Sequence, residues 1–312
     1  MSIEDIIEYL SKTKNPVQLV KHYDEVPESK KSFPMIAQRK YDGVYCLIVV
    51  IDGIKLLFSR TGKELYIESI CNILPNELSD GVYITEMCND AISLEVLSGL
   101  VSPNRTKEWE WGEYATMRSS AYFMFHDYLS VEEFINGKSD IECLDRWYKL
   151  RAELRKKDLS KYLVDFKFVY DDKDVLSYFE SCVRLGYEGS VFKQPESDWV
   201  AGHKGYRAMK LVRGVSLDLL CTGVKYGKGK REGQIAALEF EYKGNKFYAD
   251  LGKGWDDIRR GNLTEAYELN WTLEDTPSGE INPVGKIWEV KALQLSSTGK
   301  ALRLPKSECI IS

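Results

Sequence analysis

The chain has 312 residues, a charged fraction of 29% and a net charge of −5. That length suffices for two units with separate cores. No apolar run approaches the ~20 residues that span a bilayer, and the acidic, amphipathic start lacks the order of a signal peptide. A protein of the cytoplasm, or of the host cytoplasm if the source is viral, is therefore expected, with no membrane partner. The seven cysteines are scattered without a C-x-x-C pair, and only three histidines occur. Both facts speak against a disulfide framework and a Cys- or His-rich metal site. The acidic balance alone disfavours a nucleic-acid partner, but a local basic face is what would contact phosphate.

Ile3, Ile6, Ile7 and Leu10 share one helical face, and Asn15-Pro16 punctuates its end. Residues 45–51 and 54–59 are β-branched or aromatic runs around Asp52-Gly53, a strong hairpin signal. Residues 82–87 and 122–125 read as further strands. Two helices are expected at 140–155, with Leu144, Trp147 and Leu150 on one side, and at 172–185, which stops at Leu185-Gly186. Strand-like runs return at 189–192 and 208–212. After Gly214 the character changes to short alternating strands at 217–224, 235–242, 246–251 and 287–295, with one short helix near 255–260. That pattern suits a small OB-type barrel. The expected domains are residues 1–213 and 214–312.

The sharpest segment is Lys40-Tyr41-Asp42-Gly43. A lysine at a strand end can act as a nucleophile if its pKa is lowered, and the glycine permits close backbone approach. Alone, K-x-D-G is a weak signal that also fits a turn with a surface lysine. Five segments follow it in order: Ser59-Arg60-Thr61-Gly62-Lys63-Glu64, Thr85-Glu86-Met87, Phe123-Met124-Phe125-His126-Asp127-Tyr128, Glu188-Gly189-Ser190-Val191-Phe192-Lys193 and Met209-Lys210-Leu211. Their common order and spacing are what separate bland readings leave unexplained.

In this order the chain resembles the covalent nucleotidyltransferase superfamily, and within it the ATP-dependent DNA ligases of bacteriophages. The resemblance covers nearly the whole chain. It implies an α+β nucleotidyltransferase (ATP-grasp-like adenylation) domain of antiparallel sheets with flanking helices, followed by an all-β OB-fold barrel. It implies that Lys40 takes AMP. Gln38, Arg39, Arg60, Glu86, His126, Lys193 and Lys210 would contact the nucleotide, with Gln38 at the adenine, His126 stacked on it and Glu86 at the ribose. Asp42, Glu86 and Glu188 would serve Mg²⁺. The implied partners are ATP and nicked double-stranded DNA, joined by a monomer whose domains rotate about Arg213-Gly214. AMP would pass from Lys40 to a 5′-phosphate before a 3′-hydroxyl displaces it.

The residue types suit that chemistry. The amine must be neutral to attack, which burial or neighbouring cations favour. Displaced pyrophosphate needs lysines and Mg²⁺. The loop Lys225-Tyr226-Gly227-Lys228-Gly229-Lys230-Arg231 is a candidate phosphate contact.

Three positions depart from the family pattern. Tyr45 stands where arginine is usual, and Val212 where a second lysine is usual. The closing segment offers Arg303 and Lys306 in place of a longer basic motif. These departures leave open a lapsed nucleic-acid-binding protein. The shared motifs also leave an RNA ligase or a capping-type nucleotidyltransferase. An NAD-dependent ligase is disfavoured, because neither a nicotinamide-binding domain nor a four-Cys zinc module is visible.

Overall fold

The computed structural model describes residues 1–65, 78–252, 254–292, 294–295, 302–303 and 305–311. Cys71 and the side chain of Arg303 lie outside the described residues. The chain divides into two units, Met1–Val212 and Arg213–Ser312.

The first unit opens with α1 (Ile3–Lys12), capped by reciprocal bonds between Ser2 and Asp5 and burying Ile6 and Leu10. Strands β1 (Leu19–His22), β2 (Met35–Lys40), β3 (Val44–Ile51), β4 (Ile54–Ser59) and β5 (Gly81–Asn89) follow. Next come helices α2 (Leu94–Leu100) and α3 (Trp111–Ser120), strand β6 (Ala121–Leu129), helix α4 (Val131–Ile135) and strand β7 (Lys138–Ser139). Helix α5 (Cys143–Lys156), strand β8 (Lys167–Val169), helix α6 (Asp172–Arg184), and strands β9 (Gly189–Lys193), β10 (Trp199–Val200) and β11 (Lys204–Val212) complete the unit.

Two sheets carry it. One has the order β1-β11-β9-β2-β8, the other β4-β3-β5-β6. The β3–β4 hairpin turns at Asp52 and Gly53, both at positive φ (51° and 77°). Such a turn matches the strand twist. The sheets are antiparallel as expected except at one edge, where β1 runs parallel to β11. The expected helix at 140–155 is α5, and its buried side is Cys143, Arg146, Trp147, Leu150 and Leu154 rather than a stripe through Leu144.

Strand alternation sorts the first sheet into two faces. Met35, Ala37, Phe192, Met209 and Leu211 form a core with Val175, Tyr178 and Phe179 of α6. Registers pair Gln38 with Val191, Lys40 with Gly189, Ala208 with Lys193 and Lys210 with Val191. Gln38, Lys40, Lys193 and Lys210 therefore occupy the face opposite that core. In the second sheet Tyr45 lies directly across from Glu86.

The second unit contains β12 (Val215–Tyr226), β13 (Ile235–Tyr242), β14 (Asn245–Leu251), α7 (Asp257–Glu268), β15 (Ile287–Ala292), β16 (Gln294–Leu295), β17 (Leu302–Arg303) and β18 (Lys306–Ile310). Strands β12-β13-β14-β18-β15 close a barrel, with β14 and β18 parallel. Five strands closed in this order, with a helix after the third, make an OB barrel. Its core gathers Cys221, Leu238, Phe240, Trp255, Leu263, Trp288 and Val290. Helix α7 runs well past the expected 255–260. The buried Arg260 ties it to the carbonyls of Trp255, Ile235 and Leu251.

Candidate active site

Lys40 is the last residue of β2, and its Nζ lies 2.6 Å from Glu188 Oε2. The Glu188 side chain is 5% exposed, that of Lys40 23%. Glu188 owes its place to the end of α6. Gly186, at φ 86°, donates its N–H to Val183, and Tyr187 donates to Cys182. This pair of bonds is a Schellman motif, and it throws the chain straight into β9. The next residue, Gly189, allows close packing: a Cβ there would stand 2.1 Å from the Leu211 carbonyl oxygen.

The turn after Lys40 closes on β5. A Cβ on Gly43 would meet the Met87 carbonyl oxygen at 2.4 Å and Glu86 Cγ at 2.7 Å. Only glycine fits that approach. Glu86 accepts the Gly43 N–H, and burial raises its carboxyl to about 7 against the pull of the Lys40 charge, with Glu188 and Asp42 adding to the rise. Burial also lowers Lys210, helped by the nearby Lys40 charge, while Glu188 opposes the change. The Arg60 charge reaches both Lys210 and Tyr45, which places the Ser59–Lys63 turn at the same site.

His126 occupies an irregularity. The β5–β6 register pairs Ile84 with Asp127 and Thr85 with Phe125, so His126 is the extra residue of a bulge. Bulges beside functional sites re-aim a side chain. Burial drives His126 down to about 3, assisted by Lys193 and Lys40, so the ring is neutral. It meets Tyr41 edge-on at 6.2 Å. Behind it, Asp127 receives Arg146 through two bonds of 2.9 and 3.0 Å, and Arg146 is 2% exposed. Sequence reasoning missed Arg146. Its signal was a basic residue on the buried stripe of α5.

Arg39 departs from expectation. Alternation turns it away from Lys40, and its guanidinium stacks 4.1 Å from the rings of both Tyr41 and Tyr187. The other expected residues converge. Lys40, Asp42, Arg60, Glu86, His126, Glu188, Lys193 and Lys210 are linked by the contacts and mutual charge effects above, and Gln38 shares the strand face of Lys40. Gln38 is 2% exposed, and among the described residues its Oε1 has no hydrogen-bond partner, nor has His126 Nε2. Buried polar atoms are normally bonded, so a polar ligand such as a nucleobase suits this pocket. Among the described residues no group of three or more His, Cys, Asp or Glu side chains encloses a metal ion. Mg²⁺ needs no such cage, since one or two carboxylates suffice beside phosphate and water.

No family model matches the chain. Curated relatives do. A "DNA ligase" of Nitrosopumilus maritimus is 24% identical over 270 residues, covering 81% of this chain and 45% of the relative. A "DNA ligase 2" of Korarchaeum cryptofilum is 26% identical over 259 residues, covering 76% and 43%. Among solved structures, Pmar-Lig_PreS3 matches with TM-score 0.72 and 20% identity over 94% of this chain and 67% of its own. A structure from work on Lig E DNA ligases, with a minimal DNA-binding scaffold, matches with TM-score 0.66 and 14% identity over 94% and 98%. The chain is similar in sequence to DNA ligases and has their fold. It spans about half the length of the curated DNA ligases it matches.

In the second unit the candidate phosphate loop is exposed. Lys230 and Arg231 lie 3.4 and 3.9 Å from Asp257. Lys306 forms an exposed pair with Asp250 at 2.7 Å. No helix among the described residues is long and apolar enough to cross a membrane.

Proposed function

We propose that this chain is an ATP-dependent DNA ligase that seals nicks between 3′-hydroxyl and 5′-phosphate ends. The observation that carries the reading is Lys40 at the end of β2, set against Glu188 and Glu86 in a half-buried pocket with unpartnered polar atoms on its wall. The similarity to DNA ligases supports the choice of substrate.

Lys40 Nζ attacks the α-phosphorus of ATP. A nitrogen–phosphorus bond forms, and the bond to pyrophosphate breaks. The amine must be neutral to attack, and Glu188 Oε2, 2.6 Å away, is the nearest oxygen to it. Lys210, Lys193 and Arg60 hold and neutralise the phosphates. His126 presents a neutral ring to adenine, Gln38 offers its buried oxygen to the base, and Glu86 accepts from the ribose hydroxyls. Asp42, Glu86 and Glu188 are hard oxygen donors suited to Mg²⁺, which would supply positive charge to the phosphoryl oxygens. AMP then passes to the 5′-phosphate of the nick, and the 3′-hydroxyl displaces it to leave a phosphodiester. We place the working boundary between domains near residues 213–214 and expect a monomer.

The test is a nicked duplex with a labelled 5′-phosphate, incubated with the protein, Mg²⁺ and ATP. Sealing by wild type and none by Lys40→Ala is the expected result. Sealing that survives Lys40→Ala, or that requires an RNA strand at the nick, would overturn the assignment.

A further inference from the structure

Arg39 is the one expected nucleotide contact that the fold turns away, and its surroundings explain what it does instead. Its neighbours are the residues beside the two ends of the Lys40–Glu188 pair. Tyr41 follows Lys40 in the chain, and Tyr187 precedes Glu188. The guanidinium carbon lies 4.1 Å from each ring centroid, and Arg39 Nη2 also donates to the Tyr41 hydroxyl. A guanidinium between two aromatic faces gains on both sides, and its flat fork fits where an ammonium would not. Tyr187 is itself fixed, because its N–H closes the Schellman end of α6 on Cys182 at 3.0 Å.

We infer that Arg39 is a positioning residue: with Tyr41 and Tyr187 it clasps the turn that carries Lys40 to the helix end that carries Glu188. The inference rests on the proposed role of Lys40 as the nucleophile. Strand pairing already aligns the backbones, with Lys40 opposite Gly189 and Arg39 opposite Ser190. That register ends at Lys40, where the strand ends. Beyond it the clasp ties the Tyr41 turn to Tyr187. Reactive groups need placing to within a fraction of an ångström, and a misplacement of 1 Å can cost ~100-fold in rate. Arg39 lies on the sheet face opposite Gln38 and Lys40, so its loss should slow the chemistry far more than it weakens nucleotide binding.

The test compares wild type, Arg39→Ala, Arg39→Lys and Tyr187→Leu in single-turnover formation of the Lys40–AMP adduct. ATP concentration is varied, and affinity for a non-hydrolysable α,β-methylene ATP is measured in parallel. Unfolding midpoints show whether each variant is folded. We expect Arg39→Ala and Tyr187→Leu to lower the maximal rate ~10-fold or more, with analogue affinity within ~2-fold of wild type. Arg39→Lys, which keeps the charge but not the fork, should recover only part of the rate. Weaker analogue binding at unchanged maximal rate would return Arg39 to the nucleotide and overturn the clasp. Wild-type rates in folded Arg39→Ala would overturn it as well. Wild type that forms no adduct would instead overturn the ligase reading itself.

Discussion

Glu86 and His126 sit in the same pocket, and burial pushes each towards its neutral form. For Glu86 the folded value is about 7 against an ordinary 4.5. A carboxyl raised on folding contributes stability that is fully present below 4.5 and lost as pH rises through about 7. In nucleotide- and metal-free protein, Glu86→Gln should therefore be more stable than wild type at pH ~8 by on the order of 3 kcal/mol, at ~1.4 kcal/mol per pKa unit. The gap should shrink towards pH ~5, as urea denaturation at both values would show. A gap independent of pH would contradict the burial argument. His126, held to about 3, stays neutral across the physiological range. Its ring proton resonances should not titrate between pH ~5 and ~8, and a midpoint near ~6.5 would contradict its placement. Lys40, Glu86, Glu188 and Lys210 stood out because their residue types recur in a motif order, and the fold brings the four together. Arg39 was misread because adjacency in sequence says nothing of which face a strand residue takes.

Between residues and the whole chain stand the elements that aim the side chains. The bulge in β6 turns His126 out of register, and the Asp127–Arg146 fork, 2.9 and 3.0 Å long, holds the next residue of that strand. Removing one partner of a buried ion pair leaves an uncompensated charge. Arg146→Ala should cost ~3–5 kcal/mol in chemical denaturation, and a loss under ~1 kcal/mol would mean that the pair does not anchor β6. The β3–β4 hairpin was readable because alternation and Asp52-Gly53 agree. Helix α3 was not, since only Met117 of its ten residues is buried and no apolar stripe marks it. The parallel β1–β11 pair was equally hidden. Leu19 pairs with Lys204, far away in the chain, and a four-residue strand carries little pattern of its own.

At the scale of the whole molecule, the sequence after Gly214 offered alternating runs punctuated by glycine, although the first of them is a strand of 12 residues, β12. The units Met1–Val212 and Arg213–Ser312 keep separate cores, the second around Trp255 and Trp288. The first unit holds every residue of the candidate pocket, drawn from its five-stranded and four-stranded sheets and the turns beside them. The altered positions, Tyr45 and Val212, lie within the pocket's strands yet leave Lys40, Glu86, Glu188 and Lys210 together. Together these residues would set Lys40 to take AMP from ATP. The most direct measurement is intact and peptide mass after incubation with Mg²⁺ and ATP, beside GTP and Lys40→Ala controls. The account predicts an added AMP on the Lys40 peptide with ATP, and none with GTP or in the alanine variant. An unmodified Lys40 in protein that was not already adenylylated, or an adduct on another residue, would contradict it.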